Sequence, residues 1–255
     1  MKETVLGVIP ARYNSKRFEG KLLAKVNGKP VIQYVYENAL NSKYMDELIV
    51  GTDDKRIFEA VKEFGGKIEY TSREHKSGTE RVAEVARKFN FDIIINIQGD
   101  EPNLNAEMID QLIKSIKNDK SIEAATLAKK ISSYKELINP NLVRIVVDKN
   151  NYALYFTRSV VPYVRDVKNK EDWLKVFPFF RHIGIYGFRN DFLQKFVGMN
   201  ESSLEKVEKL EQLRILEYGY KIKVVYTDSE APISIDVPDD LEEFRRYIKA
   251  KSREI

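Results

Sequence analysis

The sequence predicts an α/β fold in which a mainly parallel sheet is flanked by helices on both faces. Two short apolar runs, at residues 5–9 and 92–97, have the length and composition of buried parallel strands. The first run ends at Pro10, and Pro30 opens a segment in which apolar residues have helical spacing. Strand patterns that alternate with helix patterns over short connections are typical of parallel sheets covered by helices.

The elements of the first half follow one another as strand, loop and helix. Strands are predicted at residues 5–9, 47–51, 67–70 and 92–97, and helices at residues 31–40, after Asp53 and at residues 78–89. Asp53 is the predicted N-cap of the second helix, and Gly65-Gly66 closes that helix. Because ligands bind beyond the carboxyl ends of parallel strands, the loops after Ile9 and Ile97 are expected to face one site.

The sequence pattern changes at residues 124–189, where the predicted strands carry alternating aromatic residues. Strands are predicted there at residues 142–148, 152–156 and 182–188. A helix at residues 203–216, a strand at residues 221–227 and a terminal helix at residues 238–251 follow. We predict one domain over residues 1–255, with its core at about 1–123 and 190–255 and a substrate-covering subdomain inserted at about 124–189.

The composition is that of a globular protein and excludes several classes of function. The formal net charge is +4, from 43 Lys and Arg against 39 Asp and Glu, and both signs are interleaved. Nucleic-acid-binding surfaces concentrate their cations in one stripe, so no nucleic-acid partner is expected. The absence of cysteine excludes disulfides, thiolate metal sites and cysteine nucleophiles. Because no apolar stretch approaches the ~20 residues that span a bilayer, we expect a cytoplasmic protein without a membrane partner.

A basic loop at residues 10–21 follows the first predicted strand and carries Arg12, Lys16, Arg17 and Lys21. A nucleoside triphosphate needs cations to neutralise the charge that develops during phosphoryl chemistry, and Arg12, Arg17 and Lys21 are the candidates. A solvated basic loop would give the same pattern. The loop lacks G-x-x-x-x-G-K-[ST], which excludes a P-loop ATPase.

Two carboxylates that follow predicted strands are the candidate magnesium ligands. Asp100 comes directly after Gly99, whose small size permits close backbone approach. Mg²⁺ usually takes one or two protein carboxylates and completes its shell with phosphate and water oxygens, so a second, distant aspartate is expected. Asp236, after the strand-like residues 233–235, meets that requirement. A plain turn at residues 98–102 and an ordinary aspartate at the start of a helix are the alternatives.

Residues 75–81 begin the third predicted helix and offer small side chains and backbone groups to a base or a ribose. A simple N-terminal cap by Ser77 or Thr79 explains the same residues. His75 and His182 are the only histidines, which argues against an imidazole-based metal site. The absence of a G-x-S-x-G elbow argues against a Ser-His-Asp hydrolase.

Several short motifs occur in order along nearly the whole chain. They lie at residues 9–13, 28–30, 75–81, 98–102, 152–158, 181–187 and 210–214. Together they resemble the 3-deoxy-manno-octulosonate cytidylyltransferase family, the CMP-Kdo synthetases of lipopolysaccharide biosynthesis. One such motif alone would be unspecific, whereas several in the right order are very specific.

The resemblance implies a GT-A-like nucleotidyltransferase fold, a homodimer, and Mg²⁺-dependent formation of CMP-Kdo and pyrophosphate from CTP and Kdo. The inserted subdomain would then serve sugar binding and dimerisation. By position, the nucleotide would be held by Pro10, Ala11, Arg12, Arg17, Lys21, Ser77, Gly78 and Gln98. The sugar-facing positions would be Gln98, Arg158, Arg165, His182, Tyr186, Glu211 and Gln212. Asp100 and Asp236 would bind the metal, and together with Arg12 and Lys21 they would carry catalysis.

Four residues depart from the family pattern. Glu19 and Leu22 stand where the family has prolines in its first loop, and Ser234 and Val237 replace a Gly and a Thr on either side of Asp236. The first pair is expected to change only the mobility of the loop. The second pair lies beside a proposed metal ligand, so kinetics or substrate choice can differ there.

Three alternatives remain open on the sequence alone. The acceptor could be another acidic sugar, such as an 8-amino analogue of Kdo, a different ulosonic acid or a sialic acid. A GT-A glycosyltransferase would normally show an Asp-x-Asp metal motif, where this chain has Asp100-Glu101-Pro102. A catalytically silent CTP sensor is disfavoured by the retained cations and by both aspartates.

Overall fold

The computed structural model describes residues 3–252 and contains a nine-stranded sheet and a separate two-stranded hairpin. The strands are β1 Val5–Ala11, β2 Lys25–Val26, β3 Lys29–Pro30, β4 Glu47–Thr52, β5 Ile68–Tyr70, β6 Ile93–Asn96, β7 Ala124–Lys130, β8 Arg144–Val147, β9 Ala153–Thr157, β10 Phe180–Arg189 and β11 Lys223–Tyr226. The helices are α1 Val31–Leu40, α2 Lys55–Glu63, α3 Gly78–Arg87, α4 Ala106–Asn118, α5 Tyr134–Ile138, α6 Trp173–Val176, α7 Asn190–Val197, α8 Ser203–Glu208, α9 Leu213–Glu217 and α10 Pro238–Lys251. Short 3₁₀ turns lie at Lys21–Leu23 and Lys170–Asp172.

The large sheet is mixed, and most of its parallel pairs come from the first half of the chain, whereas β11 pairs in parallel with β7. The strand order is β11-β7-β10-β6-β1-β4-β5, and β8 pairs with β10 and β9. β1 pairs in parallel with both β4 and β6, and β4 pairs in parallel with β5. β10 runs antiparallel between β6 and β7. The predicted α/β fold with a mainly parallel sheet is therefore confirmed.

Apolar side chains cover both faces of the sheet, as expected for strands buried between helices. Along β1, Val5 and Ile9 belong to one buried cluster and Leu6 and Val8 to the other, all with 0% exposure. Residues of α1, α2, α4 and α10 pack on the first face, and residues of α3, α7 and α9 on the second. None of the helices within residues 3–252 is both long and apolar enough to cross a membrane.

The N-cap of α2 is Asp54, and the prediction of Asp53 was wrong by one residue. The Asp54 carboxylate accepts a hydrogen bond from the backbone N–H of Arg56 at 2.8 Å. Asp53 instead forms an ion pair with Arg81, whose side chain is almost fully buried, at 3.1 Å. A buried guanidinium needs a carboxylate partner. Asp53 is that partner for Arg81, so its carboxylate does not cap the helix.

The single helix predicted at residues 203–216 is divided into α8 and α9. Lys209 ends α8 with φ of 55°, in the left-handed region that continues no right-handed helix. The break leaves Glu211 and Gln212 in the short connection between the two helices. These two side chains therefore lie beside a cavity and not on a regular helix surface.

Residues 124–189 contribute to the main sheet and also form a small core of their own. β7 and β10 are central members of the large sheet. Ile131, Leu137, Trp173 and Phe179 form a separate buried apolar cluster. Division of the chain into a core and an inserted subdomain stays a prediction.

Candidate active site

Two cavities lie side by side where β1 and β6 end. The first, of about 290 Å³, is lined by the loop after β1, the start of α3 and the loop after β6. The second, of about 310 Å³, is lined mainly by β6, β10, α3 and the connection between α8 and α9. Gln98 and Asp100 line both cavities. The two loops expected to face one site at the carboxyl edge of the sheet do so.

The first cavity, which we call the loop cavity, is lined by the basic loop, the start of α3 and the loop after β6. Its lining residues are Pro10, Arg12, Asn14, Ser15, Lys21, Leu22, Lys76, Ser77, Gly78, Gln98, Gly99 and Asp100. The Arg12 guanidinium donates to the backbone carbonyls of His75 and Lys76 at 2.8 and 3.3 Å. Arg12 thereby ties the segment before α3 to the loop after β1. Ser77 caps α3 by accepting from the Glu80 N–H at 3.2 Å, which is the cap that the sequence left as the alternative explanation of these residues.

Gly99 is required by the close approach of two loops at the floor of the loop cavity. A Cβ at this position would lie 3.1 Å from the Pro10 carbonyl oxygen and 3.4 Å from Ile9. Any larger residue would require the Pro10 carbonyl or the Ile9 side chain to shift slightly. The glycine before Asp100 therefore brings that carboxylate against the basic loop.

Lys21 joins the two predicted metal-binding carboxylates. Its ammonium lies 2.6 Å from Asp100 Oδ2 and 3.1 Å from Asp236 Oδ1, and Arg17 contacts the same Asp236 oxygen at 2.8 Å. Burial alone would lower the pKa of Lys21, but the attraction of Asp100 and Asp236 is larger in sum and raises it. The Ile235 N–H donates to the Asp100 carbonyl at 2.9 Å and so fixes the segment that carries Asp236.

The second cavity, which we call the polar cavity, is lined by a mixture of hydrogen-bonding and apolar side chains. Its polar lining consists of Thr79, Asn96, Gln98, Asp100, Glu101, His182, Tyr186, Glu211, Gln212, Ser234 and Asp236. Gln98 donates to the Gly184 carbonyl at 3.2 Å, which orients its amide. Burial, with the neighbouring charge of Asp100, raises the pKa of Glu101 to about 8. Burial likewise raises the pKa of Tyr186 well above its ordinary value, so its phenol stays protonated.

His182 is held neutral in the wall of the polar cavity. Its Nε2 lies 2.8 Å from Thr126 Oγ1, and the Thr126 hydroxyl lies 2.8 Å from the Ile185 carbonyl oxygen. Because the single Thr126 hydrogen goes to a carbonyl, Nε2 of His182 carries the proton and donates it. Burial, together with the charge of Arg181, lowers the pKa of His182 to about 3.

The low pKa of His182 predicts a specific pH dependence of stability. Between pH 6.5 and 3 the unfolded chain binds a proton at this histidine that the folded chain does not, so acidification destabilises the fold. His182→Gln removes the titrating group and keeps an amide that can donate to Thr126. Between pH 7 and pH 4.5 we expect the free energy of unfolding to decrease in both proteins. The decrease should be roughly 2 kcal/mol smaller in His182→Gln than in the wild type. Urea unfolding at several pH values measures this difference, and parallel pH profiles would contradict it.

Two predicted sugar-contacting residues, Arg158 and Arg165, line neither cavity. Both are exposed, and the Arg158 guanidinium lies within 3.3 Å of the Asn141 carbonyl oxygen. Gln98, His182, Tyr186, Glu211 and Gln212, the other predicted sugar-contacting residues, all line the polar cavity. The roles of all these residues stay predictions.

The polar cavity also contains residues that sequence reasoning did not select. Thr79 and Glu101 lie inside the motifs at residues 75–81 and 98–102, for which the sequence predicted binding roles only at neighbouring residues. Asn96 ends the apolar strand β6 and is 3% exposed, and its Oδ1 has no hydrogen-bond partner within residues 3–252. In the sequence, Asn96 is marked only as a polar residue in an otherwise apolar run. Of the departures from the family pattern, Leu22 lines the loop cavity, Ser234 lines the polar cavity and Glu19 is exposed.

An α/β sheet that ends in a cation-lined cavity beside a polar cavity is the arrangement of a nucleotidyltransferase. A family model described as Cytidylyltransferase matches residues 6–222. The chain is 47% identical to the 3-deoxy-manno-octulosonate cytidylyltransferase of Geotalea daltonii, over 96% of this chain and 98% of that protein. It is also 47% identical to the enzyme of the same name from Fusobacterium nucleatum, over 98% and 99%.

A solved structure supports the same placement. CMP:2-keto-3-deoxy-manno-octonic acid synthetase complexed with CTP superimposes with a TM-score of 0.90 and 39% identity, over 98% of this chain and 100% of that one. The chain belongs to the 3-deoxy-manno-octulosonate cytidylyltransferase family.

Proposed function

We propose that this protein transfers CMP from CTP to the anomeric hydroxyl of 3-deoxy-D-manno-octulosonate (Kdo), and releases pyrophosphate. The observation that carries the proposal is the meeting of the two cavities at Gln98 and Asp100. A nucleotide in the loop cavity would have its phosphates beside an acceptor in the polar cavity. Membership of the family supplies the identity of the two substrates.

The reaction needs positioning and charge neutralisation but no covalent enzyme intermediate. The anomeric oxygen forms a bond to the α-phosphorus, the bond from that phosphorus to the pyrophosphate oxygen breaks, and the hydroxyl proton is released. Arg12, Arg17 and Lys21 lie at the loop cavity or its carboxylates, where they can neutralise the triphosphate and the leaving pyrophosphate. Neutral His182 and protonated Tyr186 can exchange hydrogen bonds with sugar hydroxyls.

We also propose that Asp100 and Asp236 hold a Mg²⁺ ion. Both offer hard carboxylate oxygens, and a single ammonium contacts both, so one cation can lie between them. Within residues 3–252 no group of three or more His, Cys, Asp or Glu side chains is arranged to hold a metal. Two carboxylates with phosphate and water oxygens are the usual environment of Mg²⁺ at a nucleotide. When bound, the ion would neutralise phosphate charge and lower the pKa of the attacking hydroxyl.

The acceptor assignment is tested with the purified full-length chain, CTP, Mg²⁺ and a panel of acidic sugars. The panel contains Kdo, its 8-amino analogue, another ulosonic acid and a sialic acid. Pyrophosphate release gives the rate, and mass spectrometry identifies the CMP-sugar. We expect kcat/KM for Kdo to exceed that for each other acid by about tenfold or more.

Controls separate the acceptor from the reaction class. Without an acceptor, pyrophosphate release should be absent, and ATP or UTP in place of CTP tests the base preference. Turnover with another acid and none with Kdo would overturn the sugar assignment while retaining the class. Pyrophosphate release that does not depend on any acidic sugar would overturn the proposed reaction.

Three broader properties are proposed on the basis of the family resemblance. We propose a homodimer, a cytoplasmic location and a role in lipopolysaccharide biosynthesis. Large apolar side chains that are exposed in the single chain, such as Leu154 at 60% and Tyr163 at 72%, are compatible with a subunit interface.

A further inference from the structure

The first turn of α3 contributes side chains to both cavities. Ser77 and Gly78 line the loop cavity, and Thr79 lines the polar cavity. A Cβ on Gly78 would lie 3.3 Å from the Pro10 ring, so this turn is packed directly against the end of β1. The same rigid turn therefore borders both proposed substrates, and Thr79, which is only 4% exposed, is the member that faces the acceptor side.

Thr79 makes a short hydrogen bond to Glu211, a predicted sugar-contacting residue in the connection between α8 and α9. The distance from Thr79 Oγ1 to Glu211 Oε2 is 2.5 Å. The hydroxyl has one hydrogen, and a carboxylate can only accept, so Thr79 donates in this pair. The Asn96 amide donates to the same Thr79 oxygen at 3.4 Å.

The nearest cation holds Glu211 much less directly. Arg214 lies 4.0 Å from Glu211 Oε1, beyond hydrogen-bond distance. The Arg214 guanidinium instead donates to both carboxylate oxygens of Glu205, at 2.6 and 2.8 Å, in a buried bidentate pair. Burial raises the pKa of Glu211, while hydrogen bonds from Thr79 and Ser77 favour its ionised form.

We propose that Thr79 is a positioning residue that holds the Glu211 carboxylate at the polar cavity so that it can accept a hydrogen bond from the sugar. The proposal rests on the proposed function. It adds Thr79 to the site as a residue that acts on the sugar through Glu211. Glu211 lies in an irregular connection, so the orientation of its carboxylate depends on the hydroxyls of Thr79 and Ser77 at the start of α3. The bond to α3 fixes it relative to the nucleotide side of the site.

The test compares Thr79→Val, which removes the hydroxyl with little change of shape, with Thr79→Ser, which keeps the hydroxyl. With CTP, Mg²⁺ and Kdo, we expect Thr79→Val to raise the KM for Kdo by about tenfold to a hundredfold, because the lost bond is to a charged group. The KM for CTP should stay within about twofold, and Thr79→Ser should return the Kdo KM to within about threefold of wild type. Thr4→Val is the matched control, since it removes a threonine bond to Asp92 of 3.0 Å at the opposite end of β1.

A double-mutant cycle with Glu211→Gln distinguishes an action through Glu211 from a general effect on folding. In the Glu211→Gln background, Thr79→Val should raise the Kdo KM by no more than about twofold. An unchanged Kdo KM in Thr79→Val, or an equally large effect in both backgrounds, would overturn the proposal. If Thr79→Val does not fold, the same cycle is run with Thr79→Ala. Absence of Kdo turnover in the wild type would instead refute the proposed function, so the two failures are distinguishable.

Discussion

Asp100→Asn is expected to lower kcat for CMP transfer by about 10³-fold or more while the protein remains folded. Asp100 lines both cavities and accepts the 2.6 Å contact from Lys21, so it lies where the proposed nucleotide and acceptor sites meet. Asparagine keeps the size of the side chain but loses the negative charge that would hold Mg²⁺. Pyrophosphate release at saturating CTP and Kdo measures the loss.

The effect of Asp100→Asn on folding should be small in comparison. Asp100 is 24% exposed, and Lys21 keeps its second partner Asp236, so we expect a loss of about 1 kcal/mol in the free energy of unfolding by urea. Asp172→Asn is the matched control, because Asp172 also pairs with one lysine at 2.6 Å but lines neither cavity. Turnover of Asp100→Asn in Mg²⁺ within tenfold of wild type would refute the metal assignment.

Lys21→Met is expected to lower kcat and to raise the affinity of the nucleotide-free protein for a divalent metal. Lys21 is 13% exposed and contacts both carboxylates, so it is placed to neutralise the triphosphate. Its removal should lower kcat by about 10²-fold. In the nucleotide-free protein, however, the same ammonium competes with any metal for Asp100 and Asp236. Without it, we expect Mn²⁺, used as a spectroscopic probe, to bind roughly tenfold more tightly in electron paramagnetic resonance titrations.

A lysine in an exposed ion pair gives the comparison for this prediction. Lys29 pairs with Glu37 at 2.7 Å and lines neither cavity, so Lys29→Met should change neither turnover nor Mn²⁺ affinity. If Mn²⁺ bound equally to wild type and Lys21→Met, the two carboxylates would not be the cation site. If kcat were unchanged, Lys21 would have no role in neutralising the phosphates.

Local patterns were sufficient to predict the parallel half of the sheet and the residues at its carboxyl edge. The apolar runs that became β1 and β6 had the right length and terminators, and the order of strands and helices determined which loops lie together. The loops that carry Lys21 and Asp100 were expected to face one site, whereas the direct contacts of Lys21 with Asp100 and Asp236 were not predicted. The metal-binding role of the two aspartates stays a prediction.

Features that depend on distant partners could not be predicted from local pattern. Asp53 looks like a helix cap until the buried Arg81 that it pairs with is known. The helical spacing at residues 203–216 is continuous in sequence, and no Gly or Pro marks the left-handed Lys209 that interrupts it. The bond between Thr79 and Glu211 joins residues 132 positions apart, so local pattern does not predict it either.

The backbone hydrogen bond from Ile235 to Asp100 has a consequence for when the enzyme becomes active during synthesis. Asp100 and the basic loop are translated early, whereas Asp236 arrives only just before α10. A nascent chain that has already built β1 and β6 therefore still lacks one of its two carboxylates. On the proposed role of Asp236, catalytic competence is acquired only when the late segment docks against the early one, and an incomplete chain is expected to bind nucleotide without turning it over.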